Sequence, residues 1–225
     1  MKGYSELLHI IKEQVDDVEQ WLWIAEDWEG YRWPKEDWQN AIKGLIQKHV
    51  KKFGVVVQAG GLQGMYPRLL SDMFERVYTF EPDPMSFHCL VNNCQKDNIV
   101  KLQAAVGETF GLIDVNRFCS HNVGMNNVVA GNKYPMLTID SLCLDDCSFM
   151  QLDVEGFELA ALRGAKNTIE KYKPVICLET RIGTEKPVDD YMKSIGYYEM
   201  DKYHHDSFYV FGGSLSTESV NYLTM

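Results

Sequence analysis

The chain has 225 residues, 45% of them hydrophobic and 24% charged, with a formal net charge of -10. That length suits one domain with a full core, and the negative charge disfavours a polyanionic partner such as nucleic acid. No stretch is long and uncharged enough to cross a membrane, and the N-terminus lacks the basic, apolar and small-residue pattern of an export signal. Cys89, Cys94, Cys119, Cys143, Cys147 and Cys177 form no Cys-x-x-Cys pair and no zinc spacing with histidine. Reduced, buried thiols in a cytoplasmic protein are expected, with no metal site.

Ser5 to Trp28 predicts an amphipathic helix, since Leu7, Ile11, Val15, Val18, Leu22 and Ala25 recur at helical spacing. Gly30-Tyr31-Arg32-Trp33 breaks the pattern, and Pro34 opens a second helix with Trp38, Ile42, Leu45, Ile46 and Val50 on its apolar face. Residues 1–53 thus read as an N-terminal helical cap on a core spanning 54–213, within a single domain covering 1–225. The tryptophans at 21, 23, 28, 33 and 38 read as packing anchors, with a lid over a ligand as the functional alternative. Arg32 reads as an exposed charge, or else as a partner for a ligand carboxylate.

Val55 to Gly64, VVVQAGGLQG, is the stretch around which the rest of the chain is organised. Three valines make a short buried strand, and the glycines let the backbone turn sharply and a ligand approach it. Met65 to Phe74 predicts the helix that completes this unit. Val77 to Phe80 is a second strand, closed by Glu81-Pro82-Asp83-Pro84, and a helix runs on from Pro84 to Lys96. Ile99 to Val106 reads as a third strand, Gly111 to Phe118 as an extra strand or hairpin, and Cys119 to Tyr134, with four asparagines, as a functional loop. Met136 to Leu142 reads as a short strand and Ser148 to Val154 as a central one. Then come a helix over Gly156 to Tyr172, a strand over Pro174 to Thr180 and a helix over Pro187 to Ile195. Tyr197 to Tyr203 and Ser207 to Gly212 form a terminal antiparallel pair around His204-His205-Asp206, before a polar tail.

Strands alternating with helices imply a mostly parallel sheet, which binds ligands beyond the carboxyl ends of its strands. Those ends carry Ala59-Gly60, Glu81, Ala105, Asp153 with Glu155, and Glu179. Glu81, 21 positions after Gly60, suits the two hydroxyls of a ribose. No register of the glycines gives Gly-x-Gly-x-x-Gly, which argues against a dinucleotide, and the acidic rim suits a sulfonium cation better than a diphosphate.

VVVQAGGLQGMY, VYTFEPDP, KLQAAVG, LTIDSL, FMQLDVEGFELAALRGA and KPVICLET together resemble the FkbM-type methyltransferases, of the class I S-adenosylmethionine-dependent kind, from about Val55 to Thr180. The resemblance implies a Rossmann-like α/β fold whose mostly parallel seven-stranded sheet has an antiparallel last strand. It implies S-adenosylmethionine as cofactor. Gly60, Gly61 and Gly64 would line its methionine part, Glu81 would hold the ribose with Pro82 and Asp83 beside the adenosine, and Ala104, Ala105 and Val106 would edge the adenine. Asp153 would face the sulfonium or amino end and Glu155 the acceptor. Gln58 stands where the family usually has an acid, and it keeps a hydrogen bond to the turn without the charge. The implied reaction is methyl transfer to a hydroxyl of a small molecule or sugar, with Asp153, Glu155, His121 and His204 as candidate bases. The alternative is a cofactor-binding protein without catalysis.

Overall fold

The computed structural model describes residues 8–12, 20–27, 35–117, 119, 121–180, 183 and 185–212. Ser5, Trp28, Arg32, Trp33, Phe118 and the tail beyond Gly212 lie outside them. The expected first helix is replaced by an antiparallel pair, β1 (Leu8–Lys12) and β2 (Gln20–Ile24). Two periodicities compete in this stretch. The alternation of Trp21 and Trp23, both buried, together with a run of apolar and aromatic residues, favours the strand. The second helix forms as α1 (Lys35–His49), with Trp38, Ile42 and Ile46 buried at four-residue spacing.

The core then runs β3 (Val55–Ala59), α2 (Met65–Ser71), β4 (Arg76–Phe80), α3 (Pro84–Asn93) and β5 (Ile99–Leu102). Asp83 caps α3 by accepting from the Met85 and Ser86 N–H groups at 2.8 and 3.1 Å, with Pro84 at the first helical position. Beyond β5 the expected third strand is split. Ala105–Val106 forms β6 and joins a second, four-stranded sheet with β7 (Gly111–Asn116), β8 (Asn127–Ala130) and β9 (Tyr134–Leu137). The expected asparagine-rich loop therefore contains a 3-10 turn, Val123–Met125, and a strand paired with β7. The short strand expected to reach Leu142 ends at Leu137, and Ile139–Leu142 is a 3-10 turn.

β10 (Phe149–Leu152) returns to the main sheet. The single helix expected after it is two, α4 (Glu158–Arg163) and α5 (Lys166–Tyr172). At the break, a Cβ on Gly164 would stand 1.9 Å from the Gly107 carbonyl oxygen, and the Gly164 carbonyl accepts from the Asp140 N–H at 2.9 Å. β11 (Val175–Glu179), α6 (Glu185–Ser194), β12 (Tyr197–Tyr203) and β13 (Asp206–Phe211) complete the chain.

The main sheet has seven strands in the order β5-β4-β3-β10-β11-β13-β12. β5, β4, β3, β10 and β11 are parallel, and β13, the last in sequence, runs antiparallel to both neighbours. This is a Rossmann-like α/β sheet with the antiparallel last strand that the resemblance implies. Along β3, Val55, Val57 and Ala59 pack with Leu162, Ile169 and Val188 of α4, α5 and α6, whereas Val56 packs with Ile42, Leu70 and Leu90 of α1, α2 and α3. Each such buried aliphatic side chain contributes about 1.5–3 kcal/mol, so β3 is the layer that both faces of the core depend on.

Candidate functional site

At the end of β3 the chain turns through Gly60 and Gly64, both with positive φ, at 84° and 100°. Glycine is required at 60, because a Cβ there would lie 1.8 Å from the Asp153 carbonyl oxygen just past the neighbouring strand β10. Leu62 also has positive φ, at 46°, and its N–H donates to Glu81 Oε2 at 2.8 Å. Glu81 Oε1 accepts from the Asp83 N–H at 2.8 Å. The carboxyl is buried, and burial outweighs these two bonds, pushing its pKa up to about 7.

Two cavities open along this rim. A narrow slot is lined by Gly60, Glu81, Pro82, Asp83, Ala104, Ala105, Val106 and Asp153, with Val115, Asn127 and Val128 from the second sheet and Val123 and Asn126 from the 3-10 turn before β8. Beside it lies a wider cavity of about 410 Å³, walled by Trp23, Trp38, Tyr66, Glu179, His204, His205 and Asp206. Gly60, Leu62, Gly124, Asp153 and Glu155 line both, so the two meet at the ends of β3 and β10.

The exit of β10 is held by Glu158, whose Oε1 accepts from the Val154 and Gly156 N–H groups at 3.2 and 3.1 Å. Between them Glu155 and Gly156 both take positive φ, at 53° and 94°. One carboxylate oxygen from each of Asp153, Glu155 and Glu179 lies within 4.8 Å of the others. Burial and the neighbouring Glu179, Glu155 and Asp206 charges hold the Asp153 pKa well above the usual carboxylate range. Asp206 enters through β13, whose antiparallel register sets it opposite Glu179. Its Oδ1 accepts from the Tyr66 hydroxyl at 2.9 Å, and burial raises its pKa to about 6.

The methyltransferase FkbM domain matches residues 66–199, more than half of the chain. The chain belongs to the FkbM methyltransferase family. None of the curated proteins compared with this FkbM-family chain matches it. Among solved structures, methyltransferase FkbM from Methylobacillus flagellatus KT is similar at a TM-score of 0.51 and 22% identity, over 71% of this chain and 44% of that one. The chain thus spans less than half the length of that relative. Precorrin 8w decarboxylase from Methanobacterium thermoautotrophicum is similar at a TM-score of 0.50 and 15% identity, over 78% of this chain and 89% of that one. At these identities the likeness is one of fold.

The FkbM-family chain gathers most of the sequence-predicted site residues at the two cavities, with three exceptions. Gln58 lines neither. Fully buried on the α1–α3 face, it accepts from the Thr79 hydroxyl and donates to Gln151 Oε1 at 3.0 Å, tying β4, β3 and β10 together. A carboxylate there would be a charge in a dry core, so the amide suits this position. Gly64 instead packs its backbone on Cys94 and Asn93 of the α3 end. His121 is exposed, its ring lies against Cys119 Sγ at 3.5 Å, and it lines neither cavity. Trp23 and Trp38 line the wider cavity, whereas Trp21 packs under the Arg68 guanidinium at 4.4 Å. Tyr66, Asn126, Asn127 and Asp206 were not singled out from sequence.

Asp27, after β2, fixes the surroundings of the site. Buried, it accepts from Gln63 Nε2 at 2.5 Å and from the Val123 N–H at 3.1 Å. It thereby joins the hairpin, the glycine turn and the 3-10 turn that walls the slot. Asn93 reinforces the joint, accepting from the Leu22 N–H at 2.7 Å and donating to the Gln63 carbonyl at 2.7 Å.

Proposed function

We propose that the protein is an S-adenosylmethionine-dependent O-methyltransferase acting on a hydroxyl of a small molecule or sugar. The observation that carries this reading is the meeting of a narrow slot and a wide cavity at Gly60, Leu62, Gly124, Asp153 and Glu155. The lining fits the cofactor. Ala104, Ala105, Val106, Val115, Val123 and Val128 offer flat apolar walls for a base, and the buried Glu81 carboxyl offers acceptors for ribose hydroxyls. When bound, S-adenosylmethionine supplies an electrophilic methyl group on a positively charged sulfur, which keeps the bonding electron pair when the methyl leaves.

The residues then divide the work. Gly60 lets the chain turn beneath the cofactor, and Asp153, its pKa held high by burial and acidic neighbours, would ionise beside a sulfonium and stabilise it. Trp23, Trp38 and Tyr66 give the acceptor stacking surfaces and exclude water. Asp206, anchored through Oδ1 by Tyr66, takes the hydroxyl proton as the oxygen bonds to the methyl carbon, alongside Asp153, Glu155 and His204 on the same wall. Its pKa near 6 leaves it ionised at neutral pH and ready for that role. A cytoplasmic setting agrees with the free cysteines, and the charge of -10 gives no reason to propose a nucleic-acid acceptor.

Calorimetry with S-adenosylhomocysteine tests the cofactor half, and transfer of labelled methyl to a panel of sugars and small alcohols tests the rest. Tight binding with no transfer to any hydroxyl acceptor would favour binding without catalysis. No binding would end the reading.

A further inference from the structure

The narrow slot carries a feature that its apolar walls and Glu81 do not explain. Asn126 and Asn127 both line it, beside Ala104, Ala105 and Val106. The Oδ1 atom of each is buried and accepts no hydrogen bond among the described residues. Buried side-chain oxygens are mostly paired in folded proteins, so two unpaired acceptors in one slot mark a place for a donor.

The backbone around them is well held. Asn126 caps the Val123–Met125 turn with extended backbone, and Asn127 opens β8 opposite Asn116 of β7. Upstream, the Val123 N–H is bound by Asp27 at 3.1 Å, and Arg117 just past β7 is paired with Asp83, itself a wall of the slot. The backbone that carries the two amides is therefore fixed relative to the Glu81 side of the slot.

We infer that the side-chain amides of Asn126 and Asn127 select adenine over other purines in the adenosyl ligand. The inference rests on the proposed cofactor and names the residues that give its binding base specificity. The adenine 6-amino group has two N–H donors, which match two acceptor oxygens, and each amide nitrogen is a donor for a ring nitrogen of the base. Hypoxanthine carries an oxygen at the 6-position and a proton on N1. With the amides oriented as they stand, its carbonyl would face the two amide oxygens, and pairing it requires both amides to turn over.

The test is calorimetry on the full chain at pH 7.5 with S-adenosylhomocysteine and S-inosylhomocysteine. The wild-type protein should favour the adenosyl compound by about tenfold or more. In the Asn126→Ser, Asn127→Ser variant the preference should fall to about twofold or less. Glu81→Gln should weaken both ligands alike and leave their ratio standing. Should the variant fail to fold, the side-chain amide resonances of Asn126 and Asn127 decide in the wild type, where saturation with the adenosyl compound should shift them further than saturation with the inosyl compound. Equal wild-type affinities, an unchanged ratio in the folded variant, or amide resonances shifted no further by the adenosyl compound would each overturn the inference while leaving the cofactor reading intact. Failure of both compounds to bind the wild-type protein would remove the cofactor reading and this inference together.

Discussion

Leu62 and Glu81, 19 residues apart, are joined by a 2.8 Å bond from the Leu62 N–H to the carboxyl at the end of β4. Leu62 sits at φ 46°, a conformation that a branched side chain adopts only under constraint. Glu81 supplies the constraint, so the residue proposed to hold a ribose also shapes the turn beneath it.

Replacing Glu81 separates the two roles. Glu81→Gln keeps one acceptor oxygen for the turn, and affinity for S-adenosylhomocysteine should fall about 10–100-fold with a modest loss of stability. Glu81→Ala strands the Leu62 and Asp83 N–H groups, at roughly 1–3 kcal/mol each. Calorimetry and urea titration of both variants check this, and unchanged affinity in Glu81→Gln would displace the ribose from this carboxyl.

The raised Glu81 pKa gives cofactor affinity a pH dependence. Ribose hydroxyls donate to the ionised form, so affinity should rise as pH climbs through about 7, and Glu81→Gln should flatten the curve. Folding responds in the opposite sense. Between the ordinary value of 4.5 and about 7 the native state holds a proton that the unfolded chain has released. The contribution of this group to stability therefore declines as pH rises across that window. Asp206, raised to about 6, acts in the same direction. Wild-type urea midpoints at pH 5 and pH 8 should differ more than those of Glu81→Gln.

Asp27→Ala should loosen the N-terminal hairpin. The Gln63 amide and the Val123 N–H would each lose an acceptor, at roughly 1–3 kcal/mol apiece. Limited proteolysis should cut the first 27 residues faster in the variant than in the wild type. Identical cleavage rates would show that the hairpin is held by other contacts.

Gly60→Ala and Gly156→Ala should differ sharply although both sites have positive φ, at 84° and 94°. At 60 the new methyl group meets the Asp153 carbonyl oxygen at 1.8 Å, and at 156 nothing lies within 4 Å. Gly156→Ala should cost only the conformational strain, about 1–2 kcal/mol. Gly60→Ala adds a backbone clash and should lose most of its folded yield. Soluble yield and urea midpoints of the pair measure the difference.

The parallel core was legible because its signals are local: three valines ended by glycines, prolines after Glu81, and acids at the strand ends. The hairpin was not, since Leu7, Ile11, Val15, Val18 and Leu22 satisfy a helical period while Trp21 and Trp23 satisfy an alternating one. Packing decides between them. β8 escaped detection because Asn127–Ala130 is held by backbone bonding to β7, which its side chains do not announce. The break at Gly164 depends on the distant Gly107 carbonyl. Asp206 stood in plain sight beside two histidines, but its place at the rim comes from the register of an antiparallel strand. Gln58 was misleading for the opposite reason, as its neighbours across the sheet, Thr79 and Gln151, turn it inward.

The reversed direction of β13 has an evolutionary consequence. It delivers the β12–β13 hairpin tip, with His204, His205 and Asp206, to the wider cavity proposed for the acceptor, while the narrow slot proposed for the adenosine draws its lining from Ala59 to Glu155. Drift confined to that hairpin can therefore change which molecule is modified without disturbing the grip on the methyl donor. On the proposed function, a lineage built this way would diversify its products by rewriting one hairpin tip.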